Sequence, residues 1–197
     1  MARSDLKKRL VKKANKMLNP VETLKCPIPT QTLSGEPLSF SFLWGTHLDD
    51  TLFQWVFKLF VENMRSFYEM SLWGYDETSK KQELTATTSR YIIVRNMNDT
   101  PIAYCHYRFD MDHDSAVVYC FEIQVEEKYQ SQGIGTIMIS MLESLGQKTS
   151  MEKIMATVFA FNHKSLGFFH KVGFITDPTC PTADDQLDYL ILSKSCA

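Results

Sequence analysis

Val117-Val-Tyr-Cys-Phe-Glu-Ile-Gln-Val-Glu-Glu-Lys-Tyr-Gln-Ser-Gln-Gly-Ile-Gly-Thr136 is the stretch whose reading decides the fold. Its first half is a run of β-branched and aromatic residues and predicts a strand. Strict alternation puts Tyr119, Phe121, Ile123 and Val125 on one face and Cys120, Glu122 and Gln124 on the other. Its second half turns through Gln130-Ser131-Gln132-Gly133-Ile134-Gly135, and a strongly apolar helix runs on from Thr136, with Gly146 as its expected C-terminal stop. A strand, a Gly-rich turn and a helix make an anion site. The first N–H groups of the helix lack intrahelical partners, the helix dipole adds partial positive charge there, and the glycines let a phosphate approach the backbone.

Two common phosphate motifs do not fit. The Walker pattern needs Gly-Lys-Ser/Thr, which is absent, and the dinucleotide fingerprint needs a third glycine where Met138 stands. The spacing Gln130-x-x-Gly133-x-Gly135 after a strand resembles instead the pyrophosphate turn of the GCN5-related N-acetyltransferases, the GNAT superfamily. A second segment, Asn162 followed by Phe168-Phe169-x-Lys171-x-Gly173-Phe174, is similar to that family's Asn…Phe-Tyr-x-x-x-Gly-Phe signature. The resemblance implies an α/β GNAT acyl-CoA N-acyltransferase fold. Its sheet is mixed but mostly antiparallel and flanked by helices. The cofactor it implies is acetyl-CoA, with CoA as product. The implied cofactor contacts are Ile123, Gln124, Val125, Gln130, Ser131, Gln132, Gly133, Ile134, Gly135, Thr136 and Asn162.

Shorter phrases narrow the likeness. Tyr68-Glu-x-Ser-x-Trp73-Gly, Phe109-Asp110, Tyr119-Cys-Phe-Glu122, Thr157-Val-Phe and Tyr189-x-Ile-Leu-Ser resemble the NatD-type N-terminal acetyltransferases, which act on the α-amino groups of histones H4 and H2A. That resemblance implies a pocket for the first substrate residues formed by Tyr68, Trp73, Phe121, Thr157 and Tyr189. At one position the sequence departs from the superfamily. Where many members carry a tyrosine that protonates the leaving thiolate, this chain has Phe169, so another group or water must serve.

The chemistry asks for little. An α-ammonium has an ordinary pKa of about 7.7–8.0, so a modest base, or a water held by one, deprotonates it near neutral pH. Glu122 is the candidate base; the plainer alternative is a solvent-facing strand carboxylate. Backbone N–H groups around Ile123 and Val125 are the candidate donors to the charge that develops on the thioester oxygen. Asp110 and Asp112 occupy an acidic turn, Asp110-Met-Asp-His-Asp114, which by itself reads as solvated. If extended, it puts both carboxylates on one side, where they suit the guanidinium of a substrate beginning Ser-Gly-Arg-Gly. Acetylation of lysine side chains or small amines, and a non-catalytic acyl-CoA-binding module, are the competing readings.

The remainder of the chain is consistent with one core. The 197 residues are 44% hydrophobic, enough for a single catalytic domain over residues 38–197 preceded by a basic segment over 1–37. Net charge is −2 and the pI about 6.2, which excludes a general polyanion binder. The cationic residues are nonetheless concentrated in residues 2–18, which predict a basic helix. The plainer reading is a solvated helix whose thin apolar stripe packs on the domain; the sharper one is a contact with nucleic acid, the ribosome or chromatin. Residues 19–37, with four prolines, predict an extended connector. A long amphipathic helix is expected over Asp49–Met70, then a break at Gly74 and a short charged helix through Lys80, Lys81 and Glu83. By spacing alone, the aromatic residues at that break read as core plugs or as the lining of a substrate groove, the core reading being favoured. Five scattered cysteines show neither zinc spacing nor a disulfide framework, so no metal is expected. With no apolar signal-peptide core and no membrane-length apolar run, a monomer in the cytoplasm and nucleus is the expectation.

Overall fold

The computed structural model describes residues 2–196; Met1 and Ala197 lie outside the described residues. In chain order the elements are α1 (Ala2–Asn15), α2 (Pro20–Thr23), β1 (Ser39–Trp44), α3 (Asp50–Met70), α4 (Glu77–Leu84), β2 (Arg90–Arg95), β3 (Pro101–Asp112), β4 (Ser115–Val125), α5 (Ile134–Thr149), β5 (Lys153–Phe159), α6 (His163–Lys171), β6 (Ile175–Thr176) and β7 (Tyr189–Ser195). The strands form one sheet in the order β1-β2-β3-β4-β5-β7-β6. Every pairing is antiparallel except β4 with β5, which α5 joins as a crossover.

Period-two alternation splits the core between the two faces. From β2, Tyr91 and Ile93 pack with Leu52, Val56 and Phe60 of α3 and Leu84 of α4. Ile92 and Val94 face the other way, toward a larger cluster that includes Met138 and Leu142 of α5 and Phe169 of α6. Helix α3 begins where Asp49 accepts the Leu52 N–H at 2.8 Å, and its apolar stripe recurs at helical spacing. Gly74, with φ of +67°, breaks the chain before α4.

The basic segment shares this core. Val11 and Ala14 of α1 and Val21 of α2 are buried in the larger cluster, and Lys7 pairs with Glu152 at 2.8 Å. Lys8, Arg9, Lys12, Lys13 and Lys16 point outward. Arg90, 2% exposed, fixes the C-terminal end of α1. Its guanidinium donates to the carbonyls of Met17 at 2.8 Å, Asn15 at 3.0 Å, Ala14 at 3.4 Å and Leu18 at 3.5 Å. It also lies 3.8 Å from the centroid of the Trp44 ring. A cation is favourable there because the last carbonyls of a helix lack intrahelical donors.

Three sequence expectations need correction. The connector over 19–37 is not wholly extended: Asn19 caps the single turn of α2, with Pro20 in the first helical position. The acidic segment is not a turn at Asp110 and Asp112, because β3 runs through Asp112 and only His113 and Asp114 make the hairpin. Gly146 does not end α5. The helix continues to Thr149 and closes at Ser150 with φ of +59°, and Gly146 is a packing position, since a Cβ there would collide with Cys196 Sγ. Among the described residues, no helix is long and apolar enough to cross a membrane.

Candidate functional site

The site begins with a defect in the sheet. His106 lies opposite Glu122, but Tyr107 lies opposite Cys120, so Phe121 is one residue too many on β4. Such a bulge inverts the alternation of side chains beyond it. Phe121 stacks on His106, and Glu122 and Gln124 reach Lys80 of α4 and Asn63 of α3. Cys120, Ile123 and Val125 belong to the opposite core. The two-face pattern drawn from strict alternation is therefore wrong past Cys120: Phe121 and Glu122 share a face.

A second irregularity opens the sheet beside the bulge. β4 and β5 pair only from Val117 to Cys120 and from Lys153 to Ala156. Beyond those residues β4 continues to Val125, and β5 continues to Phe159 against β7. The backbone from Phe121 to Val125 thus borders a wedge on its β5 side.

Two connected spaces fill this wedge. The larger is a groove of about 1280 Å³. It gathers Ile123, Gln124, Val125, Gln130, Ser131, Gly133, Ile134, Gly135, Thr136 and Asn162, all expected from the sequence, together with Lys128, Lys164 and Lys171. Gln132, also expected, is not among the residues lining it; its side chain donates to the Lys128 carbonyl instead. Gly133 is the N-cap of α5 with φ of +86°, and no side chain caps that end of the helix. The first N–H groups of α5, the two glycines at its start and the exposed lysines along the rim suit a polyphosphate. Gly135 has an additional role, because a Cβ there would stand 3.0 Å from the Phe168 ring of α6. Gly135→Leu should therefore weaken acetyl-CoA roughly tenfold or more, about the value of one charge-assisted hydrogen bond. Calorimetric titration of the folded variant checks this; unchanged affinity would place the phosphates elsewhere.

The smaller space, about 80 Å³, is lined by Tyr68, Trp73, Phe121, Glu122, Thr157 and Phe159 and shares Met64, Ile123, Gln124, Asn162 and Ser165 with the groove. The aromatic residues at the α3–α4 break are thus not simply core: Trp73 is 51% exposed and packs on Tyr68, Phe159 and Tyr189. The Leu72 N–H donates to Asp188 Oδ2 at 2.6 Å and ties this break to the start of β7. Thr157 is hydrogen bonded to the Tyr119 hydroxyl. Asn162 caps α6 through Oδ1, which accepts the Ser165 N–H at 3.1 Å. Phe169 is buried against Phe168 and Phe174 and offers no hydroxyl.

Glu122 sits at the floor of the small cavity, 6% exposed. Its Oε1 accepts from Lys80 Nζ at 3.0 Å and its Oε2 from Gln124 Nε2 at 2.8 Å. Burial pushes its carboxyl above the ordinary glutamate range, and Lys80 opposes that shift. Asp110 and Asp112 are not part of the cavity wall. They lie farther along β3 on the face of Tyr104, His106 and Arg108, and Asp112 is near enough to add to the raised pKa of Tyr119. Sequence reading sees in Lys80 only one residue of a short charged helix, whereas its side chain is 6% exposed. It also misses Asn63, whose Nδ2 donates to Gln124 Oε1 at 3.0 Å. Among the described residues no His, Cys, Asp and Glu cluster could hold a metal.

Comparison with known proteins agrees with this geometry. The profile of the Acetyltransferase (GNAT) family matches residues 41–174. Among solved structures, Tetrahymena GCN5 aligns with a TM-score of 0.61 at 15% identity, over 81% of this chain and 96% of that one. The ribosomal-protein-S18-alanine N-acetyltransferase from Escherichia coli gives 0.56 at 16% identity, over 81% and 94%. Arabidopsis thaliana Naa50, in complex with the bisubstrate analogue CoA-Ac-MVNAL, gives 0.54 at 18% identity, over 80% and 99%. At these identities the likeness is one of fold.

Proposed function

The chain belongs to the GNAT acetyltransferase family, and from that premise we propose that it acetylates the α-amine of peptides beginning Ser-Gly-Arg-Gly, the N-termini of histones H4 and H2A. Acetyl-CoA is the donor and supplies an activated acyl thioester for an amine to attack. The N–H groups from Gly133 to Thr136 and the side chains of Gln130 and Asn162 would hold it in the groove.

The observation that carries the proposal is the small cavity. Its volume of about 80 Å³, its aromatic walls and the buried carboxylate at its floor suit the end of a chain with a small first residue. In this reading Glu122 takes the proton from the α-ammonium, directly or through a water, and the aromatic residues exclude bulk solvent. The N–H groups of β4 along the wedge, around Ile123 and Val125, are the donors at the reacting carbonyl. Asp110 and Asp112, on the same strand face, are the partners for an arginine at the third substrate position. The outward lysines of α1 offer a separate contact to ribosomal or nucleosomal polyanion.

Mass spectrometry of peptide products, with an N-terminally blocked control, tests the reaction. Acetylation of the blocked peptide would favour lysine chemistry, and no product from either would favour an acyl-CoA-binding module. The arginine contact has its own test. Ser-Gly-Arg-Gly should exceed Ser-Gly-Ala-Gly by roughly ten- to a hundred-fold in kcat/KM, the equivalent of one charge-assisted hydrogen bond. That ratio should shrink in an Asp110→Asn/Asp112→Asn variant. Equal use of both peptides by the unaltered enzyme would remove the arginine argument, and a ratio surviving the double variant would put arginine recognition elsewhere.

A further inference from the structure

Lys80 is a lysine with no hydrogen to spare. Its ammonium donates to Tyr68 Oη at 2.8 Å, Glu83 Oε1 at 2.7 Å and Glu122 Oε1 at 3.0 Å, and these three bonds exhaust its donors. It also lies 4.6 Å from the centroid of the Phe60 ring and 4.9 Å from that of Tyr68. Because lysine only donates, the Tyr68 oxygen must accept, and the phenolic hydrogen is left for another acceptor.

We infer that Lys80 is a positioning residue, which orients the Glu122 carboxylate and the Tyr68 hydroxyl from outside the small cavity. The inference rests on the reading of Glu122 as base. Lys80 lines neither the cavity nor the acetyl-CoA groove, so it acts through the two side chains that do line the cavity. Three bonds to α3, α4 and β4 join the helix pair to the bulge at one point, so Glu122 keeps one orientation.

The arrangement also sets when Glu122 is ionised. The titratable groups that face it are Tyr68 of α3, Lys80 and Glu83 of α4, and Tyr91 of β2. From β3, Tyr104 and His106 turn toward the same space, with Arg108 beyond them. His106 is buried and its basicity is strongly suppressed, by burial first and then by Arg108 and Lys80, so it brings no positive charge. Burial opposes the charged form of Lys80, yet Glu122, Tyr68 and Glu83 more than offset it and keep the ammonium charged throughout the working pH range. Lys80 is thus the cation bonded to Glu122, and its removal leaves a buried carboxylate opposed by Glu83. Only the Gln124 hydrogen bond then still favours the carboxylate against burial, and the proton on Glu122 is lost only at higher pH.

The test is a pH profile in three variants. Lys80→Met should move the acid limb of kcat/KM upward by about one to three pH units, the usual effect of an opposite charge at this distance. Activity near and below pH 7 should fall and return in part as pH rises. The KM for acetyl-CoA should stay within about twofold, since saturation of an untouched groove is unaffected. Lys80→Arg keeps the charge and should restore the acid limb toward its original position. In a Glu122→Gln background, which also relieves any folding defect caused by an unpaired carboxylate, adding Lys80→Met should cost less than about twofold. A parallel pH profile, or an equal loss in both backgrounds, would overturn the inference. Should the tetrapeptide not be a substrate, the Glu122 carboxyl can still be titrated by carbon-13 NMR in the unaltered protein and in Lys80→Met. An identical midpoint there overturns the role of Lys80, whereas a shifted midpoint supports it and leaves the fault with the substrate.

Discussion

Glu122→Gln lowers kcat by roughly 10²–10⁴-fold if Glu122 is the direct base, the range typical of a positioned proton acceptor. The substitution is nearly isosteric. The amide oxygen can still accept from Lys80, so the bond seen at 3.0 Å need not be lost. What disappears is the ability to take a proton from an ammonium. The pH dependence has a definite sign: burial raises the carboxyl above its ordinary value, so the basic form, and activity with it, is lost as pH falls through that raised value. With the peptide proposed above as substrate and saturating acetyl-CoA, steady-state rates from about pH 6 to 9, which span an α-amine's titration, measure both effects. A near-normal kcat at neutral pH would hand the proton to a water held by backbone.

Arg90→Met should be strongly destabilising although it lies away from the cavity, at about 2–5 kcal/mol. The replacement fills similar space but removes the donor at the carbonyls of Asn15 and Met17; Ala14 keeps the Met17 N–H and Leu18 the Trp44 indole N–H. It also removes the cation stacked on Trp44. For a chain of this length, 3 kcal/mol corresponds to a fall of roughly 6–12 °C in Tm. Arg90→Lys should recover little, because a single ammonium cannot span several carbonyls as a planar guanidinium does. Denaturant unfolding followed by tryptophan fluorescence reads the result directly, since Trp44 lies in the affected contact. An unchanged midpoint would mean that water satisfies those carbonyls and that the clamp carries no weight.

The parts legible in the sequence were those written in local pattern. The Gly133-x-Gly135 turn announces an uncapped helix start, and the structure has one. The apolar spacing of Asp49–Met70 announces a helix, and α3 occupies it with Asp49 as cap. The bulge was not legible, because it arises from a mismatch between β3 and β4 and neither strand carries a residue that demands it. Its consequence was large: strict alternation had separated Phe121 from Glu122, which share a face. Lys80 was hidden for a related reason. Helix α4 is polar nearly throughout, and only the placement of α4 over the bulge turns one of its lysines inward. Gly146 illustrates the opposite error, a residue whose usual local meaning was overridden by a close approach to Cys196.

The clamp at Arg90 also orders events in time. Helix α1 leaves the ribosome well before the groups that receive it: Arg90 on β2, the Phe109 carbonyl that accepts from Asn15 on β3, and Glu152 just before β5. A basic peptide of this length is marginal as a free helix, so it stays unstructured until β2, β3 and the segment before β5 have been synthesised. Its docking closes a loop of well over a hundred residues between Lys7 and Glu152, a slow, non-local step placed late in folding.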